Sequence, residues 1–176
     1  MGEGFTVWFT GLSSAGKTTI SRLVEADLRA RGLPVEVLDG DVVRQNLSQG
    51  LGFTRADRDA NIRRIAFVSK LLTRNCVVTL VAAISPYQEA RELARKEIGS
   101  FVEVYVKCPL ETCIARDVKG LYKKAIQESI PNFTGISDPY EEPLGPEIVL
   151  HTDKETPEES AAEVLRRLGE LGYVSR

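Results

Sequence analysis

Apolar runs separated by amphipathic stretches set the organisation of this chain. Phe5-Thr6-Val7-Trp8-Phe9-Thr10 is β-branched and aromatic and predicts a buried strand. From Thr19 to Arg31, the residues Ile20, Leu23, Val24, Asp27 and Leu28 recur near i, i+3 and i+4, which predicts a helix. Val35-Glu36-Val37-Leu38 reads as a second strand, and Arg58 to Arg74 as a helix with Ile62, Ile65, Ala66, Ser69 and Leu72 on one face. The nearly continuous apolar run from Cys76 to Ile84 suits a central parallel strand covered on both sides. Gln88 to Glu97 reads as helix, Phe101 to Val106 as strand, and Leu110 to Arg116 as the start of a helix. The segment from Asp117 to Glu142 opens with a basic stretch carrying Lys119, Lys123 and Lys124 and is punctuated by proline and glycine. Ile148-Val149-Leu150 reads as a last short strand, and Glu158 to Leu171 as a last helix, with Thr156-Pro157 as cap and first-turn proline.

Between the first strand and the first helix lies Gly11-Leu12-Ser13-Ser14-Ala15-Gly16-Lys17-Thr18, which spells G-x-x-x-x-G-K-S/T. In a strand–turn–helix setting this is the phosphate-binding loop (P-loop) of nucleotide triphosphatases. The glycines let the chain turn tightly, so that successive N–H groups converge on phosphate oxygens, and the following helix adds its positive end. Lys17 is expected to reach the β and γ phosphates, and the Thr18 hydroxyl to ligate magnesium. Gly11, Leu12, Ser13, Ser14, Ala15, Gly16, Lys17, Thr18 and Thr19 form the expected ATP seat. Repeated βα units predict a parallel sheet between helix layers, a three-layer α/β/α sandwich of the P-loop nucleotide triphosphatase type, with ligands at the carboxyl ends of the strands.

Composition narrows the picture only modestly. At 176 residues, 43% hydrophobic and 27% charged, the chain fits one folded domain, residues 1–176. A net charge of −2 argues against binding a nucleic-acid polymer, so an anionic substrate must be held by local cations. Cys76, Cys108 and Cys113 show no C-x-x-C spacing and read as small buried hydrophobes in a reducing cytoplasm. No apolar run reaches bilayer length, so no membrane association is expected. Met1-Gly2-Glu3-Gly4 lacks a basic segment and leads straight into the first strand, so neither a signal peptide nor myristoylation at Gly2 is expected.

Three further clusters bear on the second substrate. Asp39-Gly40-Asp41 places two carboxylates at the end of the second strand, where they can face a nucleotide's metal and an acceptor hydroxyl. An exposed D-G turn is the alternative for these three residues taken alone. Arg44 follows one helical turn on, and Asp57-Arg58 and Asn61-Ile62-Arg63-Arg64 offer guanidinium forks and an amide on one helix face. No acid occurs from Ile62 to Arg74, which suggests an anionic guest for the cations of this stretch. Arg116-Asp117-Val118-Lys119-Gly120-Leu121-Tyr122-Lys123-Lys124-Ala125, followed by Pro131-Asn132-Phe133-Thr134-Gly135, reads as a mobile lid spanning about residues 117–142.

Together, Asp39-Gly40-Asp41-x-x-Arg44, Leu51-Gly52-Phe53, Asp57-Arg58-x-x-Asn61-Ile62-Arg63-Arg64, Ile84-Ser85-Pro86, Lys119 to Ala125 and Asn132-Phe133-Thr134-Gly135 resemble the adenylyl-sulfate kinase (APS kinase) family from about Trp8 to His151. The resemblance implies transfer of the ATP γ-phosphoryl group to the 3′-hydroxyl of adenylyl sulfate, giving 3′-phosphoadenylyl sulfate and ADP in sulfate assimilation. It implies that Asp41 orients or deprotonates that hydroxyl and shares in the magnesium shell with Thr18, while Asp39 supports the same site. Arg44, Arg58 and Asn61 would hold adenylyl sulfate, Phe53 and Phe133 would flank its adenine, and Ile84, Ser85, Lys119, Gly120 and Leu121 would line its pocket. Arg116 would pack on the ATP adenine. Ser85 matches a serine that the family labels a phosphoserine intermediate, although direct in-line transfer needs no covalent step.

Ser14 stands where the family often has glycine, and Gln45-Asn46 replaces a more usual pair. The resemblance also implies a cytoplasmic homodimer, with functional coupling to ATP sulfurylase. Two other readings stay open on residues alone: another small-molecule P-loop kinase, or a non-catalytic module that senses 3′-phosphoadenylyl sulfate. His151, the single histidine, is expected to serve a hydrogen-bonded structural role.

Overall fold

The computed structural model describes residues 3–175; Met1, Gly2 and Arg176, and with them the question of Gly2 modification, lie outside the described residues. Five parallel strands form one sheet in the order β2-β3-β1-β4-β5. They are β1 (Thr6–Thr10), β2 (Val35–Asp39), β3 (Val78–Ala82), β4 (Phe101–Lys107) and β5 (Ile148–His151). The helices are α1 (Lys17–Ala30), α2 (Gly40–Asn46), α3 (Arg55–Arg74), α4 (Gln88–Ile98), α5 (Leu110–Arg116), α6 (Leu121–Ile126) and α7 (Pro157–Glu170). β1, β3 and most of β4 are buried on both faces, as their near-continuous apolar composition demands. The helices α1 and α7 pack together, as do α3 and α4. The core is accordingly split in two: Val7, Phe9, Val24, Leu28, Val164 and Leu168 pack in one cluster, and Trp8, Ile62, Ile65, Val81, Ala94 and Phe101 in the other. Fully burying each valine, leucine, isoleucine or phenylalanine among them contributes about 1.5–3 kcal/mol.

The chain builds outward from β1 to one side through β2 and β3, then crosses to β4 and β5 on the other. The reversal of direction occurs at β1, and open parallel sheets bind ligands at the carboxyl ends of such strands. That end carries Gly11 to Thr18.

Several expected elements differ in extent. The Cys76–Ile84 run forms a strand only over Val78–Ala82, because Cys76 sits in the turn after α3 at φ 62 and is exposed. The reading of Cys76 as buried is thus overturned, while Cys108 and Cys113 are buried as expected. Helix α3 starts three residues early because Thr54 caps it, accepting the Asp57 N–H at 3.2 Å. Asp27 lies off the buried face of α1 and pairs with Arg31 on the surface. The last helix starts as expected, with Thr156 and Glu159 forming a reciprocal capping box. His151 hydrogen-bonds through its backbone, its N–H donating to the Glu155 carboxylate at 3.1 Å.

Candidate active site

The phosphate loop owes its shape to close packing. A Cβ on Gly11 would stand 2.5 Å from the Val106 carbonyl oxygen, so no other residue fits there. Gly16, at φ 111, opens α1. Ser14 adopts φ 60, the left-handed region that glycine occupies at least cost. Behind the loop, the Thr152 hydroxyl donates to the Ala15 carbonyl at 2.7 Å, and the Arg116 guanidinium donates to the Thr152 carbonyl and to Cys108 Sγ. Arg116 thereby braces the loop from outside its cavity.

Lys17 is 9% exposed, and its ammonium donates to the carbonyls of Gly11 at 2.8 Å and Leu12 at 2.7 Å. Burial lowers its pKa from 10.5 to about 8, against the smaller opposing pull of Cys113, Asp39 and Asp41. Its charge is held ready beside the loop at neutral pH.

The second strand delivers the acids. Asp39 is 8% exposed and caps α2, accepting the Asp41 N–H at 3.0 Å through one carboxylate oxygen. The other oxygen accepts the Thr18 hydroxyl at 2.7 Å. Gly40 packs closely on β3, where a Cβ would lie 3.2 Å from the Ala82 carbonyl oxygen and push the strand by a few tenths of an ångström. Asp39-Gly40-Asp41 is therefore a strand end and helix cap rather than an exposed turn. The Asp41 carboxylate is half exposed and forms an ion pair with Lys119 from the insertion. Thr18 and Asp39 supply hard oxygen donors of the kind magnesium takes, leaving its other positions to phosphate and water. Their contact fits the expected metal seat, with Asp39 rather than Asp41 beside Thr18.

Across the cavity stands a cationic wall. The Arg44 guanidinium lies 4.4 Å from the centroid of the Phe53 ring and donates to the Gly52 carbonyl at 3.0 Å. Arg58, 6% exposed, donates to the carbonyls of Phe53 at 3.1 Å and Asn132 at 2.6 Å, and lies 3.8 Å from Asp138. Arg58 is thus not without an acidic partner; the partner is 80 residues away in the chain rather than on the same helix. Burial first, and then the neighbouring Arg58, hold the Arg44 pKa below its ordinary value, a mutual repulsion that an anion would relieve. Asn61 is 6% exposed, and its amide oxygen has no hydrogen-bond partner among the described residues; the same holds for the hydroxyl of Thr134, 1% exposed.

These parts enclose one cavity of about 440 Å³. It brings together Ser13, Ser14, Gly16, Lys17, Thr18, Thr19, Asp39, Asp41, Arg44, Phe53, Arg58, Asn61, Ile84, Ser85, Lys119, Leu121 and Phe133. Gly11, Leu12, Ala15, Arg116 and Gly120 shape its surroundings without lining it. Gly40, Ile62, Ala82, Ala83, Pro86, Val118 and Thr134 line it in addition; Ala82 and Ala83 carry no signal beyond the apolar run of β3, and the others lie inside motifs read for their neighbours. A wider groove of about 810 Å³ shares Leu12 with the phosphate loop and is lined by Asp138 and Glu142, but contains neither Lys17, Asp39 and Asp41 nor Arg44 and Arg58.

The insertion is folded rather than an irregular surface loop. Its helix α6 buries Tyr122 and Ala125, and Tyr122 meets Phe133 edge-on with centroids 5.1 Å apart. The Tyr122 hydroxyl donates to the Ser13 carbonyl at 3.0 Å, joining the insertion to the phosphate loop. Phe133 is itself buried at 8% exposure, whereas Phe53 is exposed, and both line the cavity.

A parallel sheet whose switch point carries a phosphate loop, a buried lysine and a strand-end carboxylate defines a P-loop kinase. The chain matches the family model for adenylylsulphate kinase over residues 3–151 and belongs to that family. An adenylyl-sulfate kinase of Halothermothrix orenii is 60% identical over 98% of this chain and 94% of its own length. The solved structure of a Mycobacterium tuberculosis APS kinase in complex with AMPPNP and APS superposes with a TM-score of 0.92 at 44% identity, covering 96% of this chain and 99% of that one. A probable bifunctional SAT/APS kinase of Sorangium cellulosum is 57% identical over 99% of this chain, which spans 30% of that protein.

Proposed function

We propose that the chain transfers the γ-phosphoryl group of ATP to the 3′-hydroxyl of adenylyl sulfate, giving 3′-phosphoadenylyl sulfate and ADP. The observation that carries this reading is the shared cavity: the Lys17–Thr18–Asp39 cluster and the Arg44–Phe53–Arg58–Asn61 wall line it together, with Asp41 among them. The first set suits a triphosphate, and the second suits a nucleotide bearing a further anion. Family membership and the 60% identity to an adenylyl-sulfate kinase support the same substrates.

In this mechanism the loop N–H groups and Lys17 bind the β and γ phosphates. Magnesium, held by Thr18 and Asp39, would offset phosphate charge. Asp41 accepts a hydrogen bond from the acceptor hydroxyl, aims it at the γ phosphorus and takes its proton as the bond to phosphorus forms. Arg44 and Arg58 hold the adenylyl sulfate anion, Asn61 Oδ1 accepts from its adenine amino group, and Phe53 stacks on its ring. Arg116 packs on the ATP adenine. The segment 117–142 closes as a lid, with Lys119 passing from Asp41 to substrate oxygens, which excludes water. Rate acceleration comes from positioning and charge stabilisation rather than from a covalent enzyme intermediate. Ser85 takes part as a wall of the acceptor pocket.

Self-association as a homodimer, a cytoplasmic setting and functional coupling to an ATP sulfurylase complete the reading; the fused relative from Sorangium cellulosum supports the last of these. The test is product formation from ATP and adenylyl sulfate. Stoichiometric 3′-phosphoadenylyl sulfate is the expected result, and ATP turnover that adenylyl sulfate does not stimulate contradicts it.

A further inference from the structure

Arg91 lies in the first turn of α4, on the opposite side of the sheet from α1, and is 1% exposed. Burying a guanidinium so completely costs several kcal/mol unless every donor is met. Glu103 balances its charge, with Nε and Oε1 3.0 Å apart, although the two atoms are not aligned for a hydrogen bond. The other donors go elsewhere. Nη1 donates to the Ser85 carbonyl at 2.6 Å, and Nη2 donates to the Glu141 carbonyl at 2.7 Å and to Gln88 Oε1 at 2.6 Å. One side chain thus grips two separate segments by their backbones.

Both segments belong to the site. Ser85 is a non-glycine residue at φ 49, a conformation that persists only where the surroundings enforce it. Together with Ile84 it lines the acceptor side of the cavity. Glu141 lies at the end of the 117–142 insertion, and further bonds hold it to the same loop: its N–H donates to the Pro86 carbonyl at 2.8 Å, and its carboxylate accepts the Gln88 N–H at 2.7 Å. Three residues earlier, Asp138 accepts the Tyr87 hydroxyl at 2.6 Å and faces Arg58.

Charge balance alone does not account for this arrangement. Glu103 also faces Arg95 at 3.4 Å, so its carboxylate has a second cation. What Arg91 alone supplies is the link between the Ser85 carbonyl and the Glu141 carbonyl.

We infer that Arg91 is a positioning residue for the acceptor nucleotide: it locks the Ile84–Ser85 wall to the root of the 117–142 insertion, so that the acceptor pocket has one shape. The inference rests on the cavity's assignment to adenylyl sulfate. Arg91 does not line the cavity, and although the Thr10 hydroxyl donates to the Ile84 carbonyl at 2.7 Å at the root of the phosphate loop, the loop itself is held by Lys17 and by Thr152, so the loss of Arg91 falls chiefly on the acceptor side.

The full chain is assayed as wild type, Arg91→Lys and Glu141→Ala, with each substrate varied in turn and thermal melts recorded. Lysine keeps the charge beside Glu103 but lacks the fork that spans two carbonyls; Glu141→Ala loosens the same junction from the insertion's side. The expected result for both variants is a rise of about tenfold in KM for adenylyl sulfate, with KM for ATP within about twofold of wild type. A common rise in both KM values, or no change in either, overturns the inference, since a merely structural role has no reason to separate the substrates. If Arg91→Lys does not fold, Glu141→Ala decides by the same criterion. A wild-type protein that makes no product from adenylyl sulfate overturns the substrate assignment and the inference with it, whereas active wild type with unshifted variants overturns the inference alone.

Discussion

The indole N–H of Trp8 donates to the Ser85 hydroxyl at 2.9 Å across 77 residues of sequence. The hydroxyl's own proton points to the Ala83 carbonyl at 3.4 Å, and the side chain is 2% exposed. A serine so committed suits a wall better than a nucleophile. Ser85→Ala is expected to hold kcat within about threefold of wild type while lowering stability by ~1–3 kcal/mol, because the Trp8 N–H is left unmet. Steady-state assays and melts check this. A radiolabelled phosphoserine trapped from wild type during turnover would restore a covalent role.

Thr18 and Asp39 make the metal argument testable. Asp39→Asn keeps the shape and the helix cap but removes a negative charge from the oxygen that faces Thr18. The half-saturating magnesium concentration for product formation is expected to rise about tenfold or more. An unchanged magnesium requirement contradicts the seat.

Lys17 ties stability and ATP affinity to pH in opposite directions. Its pKa is about 8 in the fold against 10.5 in an open chain, so between those values the unfolded chain binds more protons. The ligand-free protein therefore gains stability from this group as pH rises from about 8 to 10.5, by up to about 3 kcal/mol, and carries the full cost of the buried charge below 8. ATP needs the ammonium, so KM for ATP is expected to climb above pH 8. In Lys17→Arg, whose guanidinium stays charged, that climb should vanish even if overall affinity falls. A wild-type KM for ATP that is flat from pH 7 to about 9.5 contradicts the assignment.

Lys119 and Asp41 are about half exposed, so their ion pair contributes only ~0.2–1 kcal/mol to stability. Lys119→Ala is expected to leave the melting temperature within about 2 °C of wild type and to lower kcat/KM for adenylyl sulfate about tenfold. Loss of stability without loss of kcat/KM would make the contact a strut and remove the lid role.

How far the sequence reaches depends on the range of each interaction. The stretch from Phe5 to Arg31 is legible because strand, loop and helix are neighbours, and each glycine has a local steric reason. The acids at the end of β2 are legible as chemistry, but which of them faces Thr18 is not, because that depends on Asp39 capping α2. Helix α6 escapes a pattern search, since six residues starting after a glycine give too few turns for a period to show. The partner of Arg58 escapes for another reason: Asp138 reaches it only through the fold of the insertion. Arg91 looks like an ordinary helix-surface cation in sequence, and only the approach of Ser85, Glu103 and Glu141 reveals a buried junction.

In the proposed reaction Asp41 aims and deprotonates the 3′-hydroxyl of adenylyl sulfate beside a triphosphate held by Lys17. Asp41→Asn keeps the size of the side chain and removes the base. The most direct measurement pairs its kcat for 3′-phosphoadenylyl sulfate formation with its dissociation constant for adenylyl sulfate by calorimetry. The expected result is a fall in kcat of at least ~100-fold with the dissociation constant within about threefold of wild type. Equal losses in binding and turnover, or near-normal turnover, would contradict it.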